Sequence, residues 1–313
     1  MLKPLKQSLD RFAIKLAAKS LPAPRPDPLQ RAEAERLMQN PAFLVPPDEI
    51  PKVAVQADGC FTFRSLVSSA SERNNLARGR LFRCGADWQN KPAVLLVHGW
   101  NAELHYLYGC PRIAKALNLE GLNAILLELP YHLSRRPDRS GMCDFICDNI
   151  PGMLLATRQA VADIHAILRW ARAEGCPSTA AWGFSLGGWL VGLHLCFTSA
   201  LDAAVLTTPI LNLRRAVAEL EFCHPIRAAL AVAPVELGPL NLPSMKPSIP
   251  AESIRVEEGK YDLFIPHGTY EDLAAAWGIR DWHCAPQSHI SILFSRRSAR
   301  QSIEWLKTHL SPR

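Results

Sequence analysis

Gly183-Phe184-Ser185-Leu186-Gly187 is a glycine–x–serine–x–glycine run followed by Gly188, lying between the short apolar run Thr179–Trp182 and a helical stretch over Leu186–Ser199. A serine at a strand-to-helix turn is held in a strained backbone conformation, with its hydroxyl standing clear of the sheet edge. Glycines two before and two after are needed because a Cβ there would strike the neighbouring strand and helix. The chemistry open to such a hydroxyl is nucleophilic attack. It requires a base within reach and a third group to orient that base. Histidines follow Ser185 at positions 194, 224, 267, 283, 289 and 309. His194 falls inside the helix after the serine and His309 at the end of the last helix, so both are poorly placed to serve it.

The elements that must position these groups read as an alternation. Lys52–Val55, Cys60–Val67 and Arg80–Cys84 are short β-like runs separated by turn residues. Ala93–Val97 (AVLLV) and Asn123–Leu127 (NAILL) are fully apolar, or nearly so, as expected of strands covered on both faces. Further strands are expected at Thr179–Trp182, Ala203–Thr207, Ile254–Glu257 and around Arg280–Cys284. Helices are expected around Tyr108–Leu119, over Ala160–Ala173, Leu186–Ser199 and Tyr270–Ala276, and as one closing helix over His289–His309. Strands alternating with helices imply parallel pairing with right-handed crossovers. The early β-only stretch implies an antiparallel edge. Two insertions, roughly 130–158 and 209–250, interrupt the alternation and belong above the strand C-terminal ends, where ligands bind.

Composition sets the outer limits. With 313 residues, 48% hydrophobic and 20% charged, the chain is suited to a large buried core and is unlike a disordered, collagenous or disulfide-scaffold protein. Its net charge of +6 is unevenly spread: residues 1–36 carry +4 and the rest only +2. A nearly neutral body without a basic run or zinc-finger signature gives no reason to expect a nucleic-acid partner. Nine scattered cysteines at no metal-ligand spacing read as reduced interior thiols, which favours a cytoplasmic compartment. No apolar stretch reaches the length of a membrane-spanning helix.

Residues 1–49 read as a separate N-terminal part, comprising an amphipathic helix, a spacer with proline at every second position (Leu21–Pro28) and a short charged helix over residues 29–39. Leu2, Leu5, Leu9, Phe12 and Leu16 form one narrow stripe on the first helix, flanked by Lys3, Lys6, Arg11, Lys15 and Lys19. Three readings stay open: the stripe docks on the body or a second subunit, it lies peripherally on an anionic membrane surface, or the segment is an organellar transit peptide, against which count the excess of Lys over Arg and the acidic Asp10.

From about residue 50 to 310 the chain resembles the α/β-hydrolase superfamily. The resemblance rests on the strand–Gly-x-Ser-x-Gly–helix context and on His98-Gly99-Trp100 directly after AVLLV. It implies an α/β-hydrolase fold with a mostly parallel central sheet flanked by helices, residues 50–313 forming the domain and the two insertions a lid. It also implies that Ser185 is the nucleophile and that the backbone N–H groups of Trp100 and Leu186 form an oxyanion hole, with His98 structural. The order in this superfamily is serine, acid, histidine. His289, in Ala285-Pro-Gln-Ser-His289, matches the position of the base, with His283 as the alternative. Asp262, in Tyr261-Asp-Leu-Phe-Ile-Pro266, matches the acid, with Glu258 as the alternative. The sequence departs from the pattern in having Ser288 where the family often has glycine before the base.

Serine at the elbow implies acyl-enzyme chemistry, whereas aspartate there would suit dehalogenation or epoxide opening; no metal or other cofactor is called for. Leu129–Arg139 resembles, more narrowly, the branch of abhydrolase domain-containing protein eighteen and its bacterial relatives. Arg135, Arg136 and Arg139 there are candidates to meet a phosphate or carboxylate of the substrate. Apolar residues of the second insertion, among them Phe222, Ile226 and Leu240, are candidates to line an acyl pocket. The favoured function is a serine esterase acting on a small lipid-like or other acyl ester. Thioesterase, peptidase and acyltransferase chemistry, or a non-catalytic binder on a hydrolase scaffold, remain as alternatives.

Overall fold

The computed structural model describes residues 2–21, 23, 27–40, 42–137, 145–266 and 268–310. Its strands, in chain order, are β1 (Ala54–Val55), β2 (Cys60–Arg64), β3 (Leu76–Phe82), β4 (Ala93–Val97), β5 (Asn123–Leu127), β6 (Thr179–Phe184), β7 (Ala203–Thr207), β8 (Ile254–Gly259) and β9 (Trp282–Ala285). They form one sheet in the order β1-β2-β3-β5-β4-β6-β7-β8-β9. Pairing is antiparallel from β1 to β5 across β2 and β3, and parallel from β5 through β4 to β9. The antiparallel edge and parallel centre match the expectation from the sequence.

The helices in chain order are α1 (Leu2–Ser20), α2 (Gln30–Gln39), α3 (Glu72–Asn75), α4 (Cys110–Leu119), α5 (Ile150–Ala173) and α6 (Leu186–Phe197). They continue as α7 (Leu213–Glu219), α8 (His224–Val232), α9 (Thr269–Trp277), α10 (His289–Ile292) and α11 (Arg296–Leu310). Every residue of β4, β5, β6 and β7 is buried. The reason is the layering: successive side chains of a strand point to opposite faces. Leu95 and Val97 therefore join one core with α5 and α6, and Val94 and Leu96 join the other with α4 and α11.

Several boundaries differ from the sequence reading: β3 starts at Leu76 rather than Arg80, β2 ends at Arg64 rather than Val67, and two helices start elsewhere than expected. Helix α5 begins at Ile150, ten residues before the expected start, because the Asn149 side chain accepts from Gly152 N–H at 2.9 Å and Pro151 occupies the first turn. The first insertion is correspondingly shorter. The closing helix is split, since the Ser295 hydroxyl accepts from Ser298 N–H at 3.3 Å and starts α11 afresh after the short α10.

The N-terminal segment packs on the body. Ala17, Leu21, Ala34 and Leu37 belong to the larger core, and the Gln30 side chain accepts from Ile150 N–H at 2.9 Å. Helix α1 docks by Asp10, Ala17 and half-buried Ala13 and Ile14, a face beside its apolar stripe rather than the stripe itself. The stripe points outward: Leu5 is 66% exposed, Leu9 46%, Phe12 68% and Leu16 57%.

Candidate active site

All five non-glycine residues with positive φ among the described residues follow the C-terminal ends of four adjacent strands: Asn101 after β4, Tyr131 and Leu133 after β5, Ser185 after β6 and Thr208 after β7. Backbone strain concentrated at one edge of a parallel sheet is a property of functional sites.

Ser185 has φ 55 and ψ −115 and immediately precedes α6. Its N–H donates to Thr207 O at 2.9 Å, tying the turn to β7. The flanking glycines permit the approach. A Cβ on Gly187 would lie 2.2 Å from Val97 O, and one on Gly183 would lie 2.4 Å from Gly187 O. Beneath the turn, Trp182 Nε1 donates to Thr207 Oγ1 at 2.9 Å, and Thr207 Oγ1 donates to buried Glu257 at 2.6 Å. Ser302 of α11 also donates to Glu257. Burial pushes the Glu257 carboxyl above its ordinary range, opposed by these two donors and by Arg255.

Ser185 Oγ lies 2.9 Å from His289 Nε2, and His289 Nδ1 lies 2.8 Å from Asp262 Oδ2. Both partners are buried. Asp262 is fixed by its other oxygen, which accepts from Phe264 N–H at 2.6 Å and Ile265 N–H at 3.0 Å. Burial pulls the imidazolium of His289 down, but the charge and hydrogen bond of Asp262, with the charge of Asp10, outweigh it; the net displacement is upward. The tautomer with Nδ1–H facing Asp262 leaves Nε2 free to accept the serine proton.

Ser288, the departure from the family pattern, has a local function. Its side chain accepts from Ser291 N–H while Ser291 Oγ accepts from Ser288 N–H at 2.8 Å, so Ser288 caps the turn that begins with His289. The close approach that glycine would allow comes instead from the facing residue: a Cβ on Gly259 would lie 3.1 Å from Gln287 O.

Gly99 abuts the elbow, a Cβ there lying 3.2 Å from Ser185 Cβ, and this brings the Gly99–Trp100 turn beside the hydroxyl. Leu186 is the first residue of α6, so its N–H has no intrahelical acceptor. His98 Nε2 accepts from Leu129 N–H at 3.1 Å and Nδ1 faces Gly99 O at 2.7 Å, which joins the turn after β4 to the loop after β5. Burial lowers His98 to about 4, so it stays neutral in this structural position.

The three arginines separate. Arg135 corrects the sequence expectation: it is 0% exposed, donates to Asn74 O and Glu128 O, and pairs with buried Asp163 at 2.8 Å. Its guanidinium is spent inside the fold and cannot face substrate. Arg136 binds Glu103 Oε1 at 2.7 Å and Asn101 Oδ1 at 3.3 Å, beside the Trp100 turn. Arg139 lies outside the described residues. Of the alternative partners, Glu258 accepts from Trp282 Nε1 at 3.2 Å, and His283 sits within β9.

A small apolar cavity of about 60 Å³ adjoins the elbow, lined by Leu186, Trp189, Ile210, Phe222, Ile226 and Leu240 among others. A wider groove of about 610 Å³ between α4 and α11 contains none of these catalytic candidates. Among the described residues no cluster of three or more His, Cys, Asp or Glu could hold a metal ion, and no helix is long and apolar enough to cross a membrane.

Sequence reasoning missed Asp10, which it counted only as a charge. Its Oδ2 accepts from His289 N–H at 3.0 Å and Leu263 N–H at 3.1 Å, and its Oδ1 from Ile290 N–H at 3.0 Å. The available signal was an acid off the stripe, in a row with small Ala13 and Ala17.

The family described as alpha/beta hydrolase domain containing 18 matches residues 85–227, a span that includes Ser185 and Trp100 but neither Asp262 nor His289. No match is found among the curated proteins. Among solved structures, a cold-adapted esterase from an Arctic intertidal metagenomic library is 18% identical, with TM-score 0.52 over 83% of this chain and 98% of its own. The Pyrococcus furiosus esterase Pf2001 is 15% identical, with TM-score 0.53 over 86% of this chain and 98% of its own. The alpha/beta hydrolase GrgF from Penicillium sp. is 14% identical, with TM-score 0.52 over 83% and 98%. At these identities the likeness is one of fold.

Proposed function

We propose, from the premise that this chain belongs to the α/β-hydrolase superfamily, that it is a serine hydrolase cleaving a carboxylic ester through an acyl-enzyme intermediate. The observation that carries the reading is the line from Ser185 Oγ to His289 Nε2 at 2.9 Å and from His289 Nδ1 to Asp262 at 2.8 Å.

Ser185 Oγ attacks the ester carbonyl carbon as Nε2 of His289 takes its proton. The carbonyl oxygen becomes an oxyanion, met by the N–H groups of Trp100 and Leu186; such donors need no reorganisation when charge develops. The imidazolium, stabilised by Asp262, gives its proton to the alcohol oxygen as the carbon–oxygen bond breaks. Water then attacks the acyl-serine with the same base, releasing the acid and restoring the hydroxyl.

An acyl ester with an apolar acid part is the favoured substrate. The apolar cavity beside Leu186 supports this, as does the description of two similar folds as esterases. A lipid-like ester drawn from an anionic membrane surface is supported by the exposed Leu5, Leu9, Phe12 and Leu16 flanked by exposed Lys3, Arg11, Lys15 and Lys19. The segments after β5 and β7 form the cover over the cavity.

A fluorophosphonate probe tests the reaction. Labelling of the full chain that is lost in Ser185→Ala is the expected result. A well-folded wild type that stays unlabelled overturns it. A panel of phospholipid, acylglycerol, short soluble ester, thioester and peptide amide then separates the acyl chemistries.

A further inference from the structure

Asp10 belongs to α1, 252 residues before Asp262 in the chain, yet its carboxylate is buried between the two loops that carry the acid and the base. Leu263, whose N–H it accepts, directly follows Asp262; the other two donors are the amides of His289 itself and of Ile290. His289 and Ile290 open α10, where no intrahelical carbonyl can take their N–H groups. One carboxylate therefore fastens the acid's loop to the base's turn.

Neighbouring contacts bring the helix close. The ammonium of Lys6 donates to Pro286 O, three residues before the base, and that of Lys3 lies 6.0 Å from the Tyr261 ring centroid, one residue before the acid. Helix α1 also packs against Glu221–Cys223, the piece that carries Phe222 over the cavity.

We propose that Asp10 is a positioning residue of the reaction centre, its carboxylate holding the His289 turn against the Asp262 loop so that Nε2 stays within reach of Ser185 Oγ. The proposal rests on the reading of Ser185, His289 and Asp262 as that centre. The groups facing the imidazole are Asp262 at Nδ1, Ser185 at Nε2, the Phe264 ring on its face and Asp10 at its own backbone N–H. Asp10 thus contributes negative charge as well as geometry, on the side that favours the protonated ring. Asparagine at this position keeps the size but presents an amide N–H₂ in place of one accepting oxygen, so it cannot take all three bonds.

The experiment uses the full chain as wild type, Asp10→Asn, Asp10→Glu and Ser185→Ala, with a p-nitrophenyl ester as substrate. In Asp10→Asn, kcat falls about ten- to a hundredfold with KM held within about threefold. The acid limb of kcat/KM moves to lower pH, because the imidazolium has lost a stabilising charge. Asp10→Glu keeps the charge but displaces the turn, so its kcat falls while the limb stays in place. An unchanged kcat and limb in Asp10→Asn, or a loss that merely tracks the unfolded fraction by circular dichroism, overturns the proposal. Failure of the underlying reading is separable: it shows as a wild type that neither turns over ester nor labels with fluorophosphonate. Asp10 is judged even then by NMR titration of His289 in the Ser185→Ala background, where adding Asp10→Asn lowers its pKa if the proposal holds and leaves it unmoved if not.

Discussion

The Phe264 ring is stacked on the His289 imidazole, with centroids 4.4 Å apart and planes inclined by 23°. The same residue donates its backbone N–H to Asp262, so acid and base are both fastened to one aromatic residue. Phe222 lies 5.7 Å from Phe264 and 5.3 Å from Trp100, which continues the aromatic file from the base to the oxyanion turn.

Replacing Phe264 with Leu keeps the backbone donor and an apolar cover but removes the stacked face. Loss of the ring pairs costs about 0.5–1.5 kcal/mol of stability, and kcat drops as the imidazole gains freedom about its stacked plane. Urea unfolding and ester kinetics measure both. Full kcat in a destabilised Phe264→Leu protein removes the ring from the mechanism.

The pH dependence follows from His289. Its neutral form is the base, and the net influence of burial, Asp262 and Asp10 raises its pKa. Activity is therefore lost as pH falls through a value above the ordinary histidine pKa of about 6.5. The profile of log(kcat/KM) checks this with a limb of unit slope. A midpoint below the ordinary value would mean that burial prevails over the two carboxylates.

Arg135→Leu tests the corrected role of that arginine. Removing it leaves buried Asp163, 2.8 Å away, without its counter-charge, a change that destabilises by about 3–5 kcal/mol. Arg136→Leu, at a half-buried pair, costs about 1 kcal/mol or less but slackens the Trp100 turn and lowers kcat. Denaturation midpoints distinguish the two; a stable Arg135→Leu protein with altered KM for an anionic ester would restore the substrate role.

Phe222 closes one side of the cavity of about 60 Å³. Phe222→Ala enlarges it, so kcat/KM for longer acyl chains rises relative to acetyl esters. A series of p-nitrophenyl esters reads the change, and an unaltered chain-length preference excludes this cavity as the acyl site.

The outward stripe of α1 gives a membrane prediction. Wild type sediments with vesicles of anionic phospholipid more than with phosphatidylcholine alone, and less at high salt. Changing Leu5, Leu9, Phe12 and Leu16 together to Ser abolishes sedimentation without unfolding, since these positions are exposed. Equal sedimentation of both proteins, or none by wild type, refutes the membrane contact.

Much of this architecture was legible in local pattern. AVLLV and NAILL read as buried parallel strands because both faces of the central sheet are covered, and apolar residues are the only inexpensive occupants of such positions. The elbow was legible because its glycines recur at a fixed local spacing, although the backbone that Gly187 must clear, Val97 O, belongs to the distant strand β4. The helix starts at Ile150 and Arg296 were missed although each has a local signal: Asn149 and Ser295 are N-caps, but a cap is also an ordinary loop residue until the helix it starts is known.

Arg135 and Asp10 mark what the sequence by itself did not determine. Each is one charged residue whose partner lies far off in the chain; the row Asp10, Ala13 and Ala17 marks a small-residue face on α1, but nothing within either segment says which groups will meet the charge. For Arg135 the answer came from Asp163, carried on α5, and for Asp10 from backbone amides beyond residue 260. The positions of the central strands, the spacing of the elbow and the candidate nucleophile follow from side-chain volume and backbone sterics, so they are written locally; the order β3-β5-β4-β6 in the sheet is not. The pairing of distant charges and the choice of which face of α1 turns inward depend on surfaces that exist only once the chain has closed on itself.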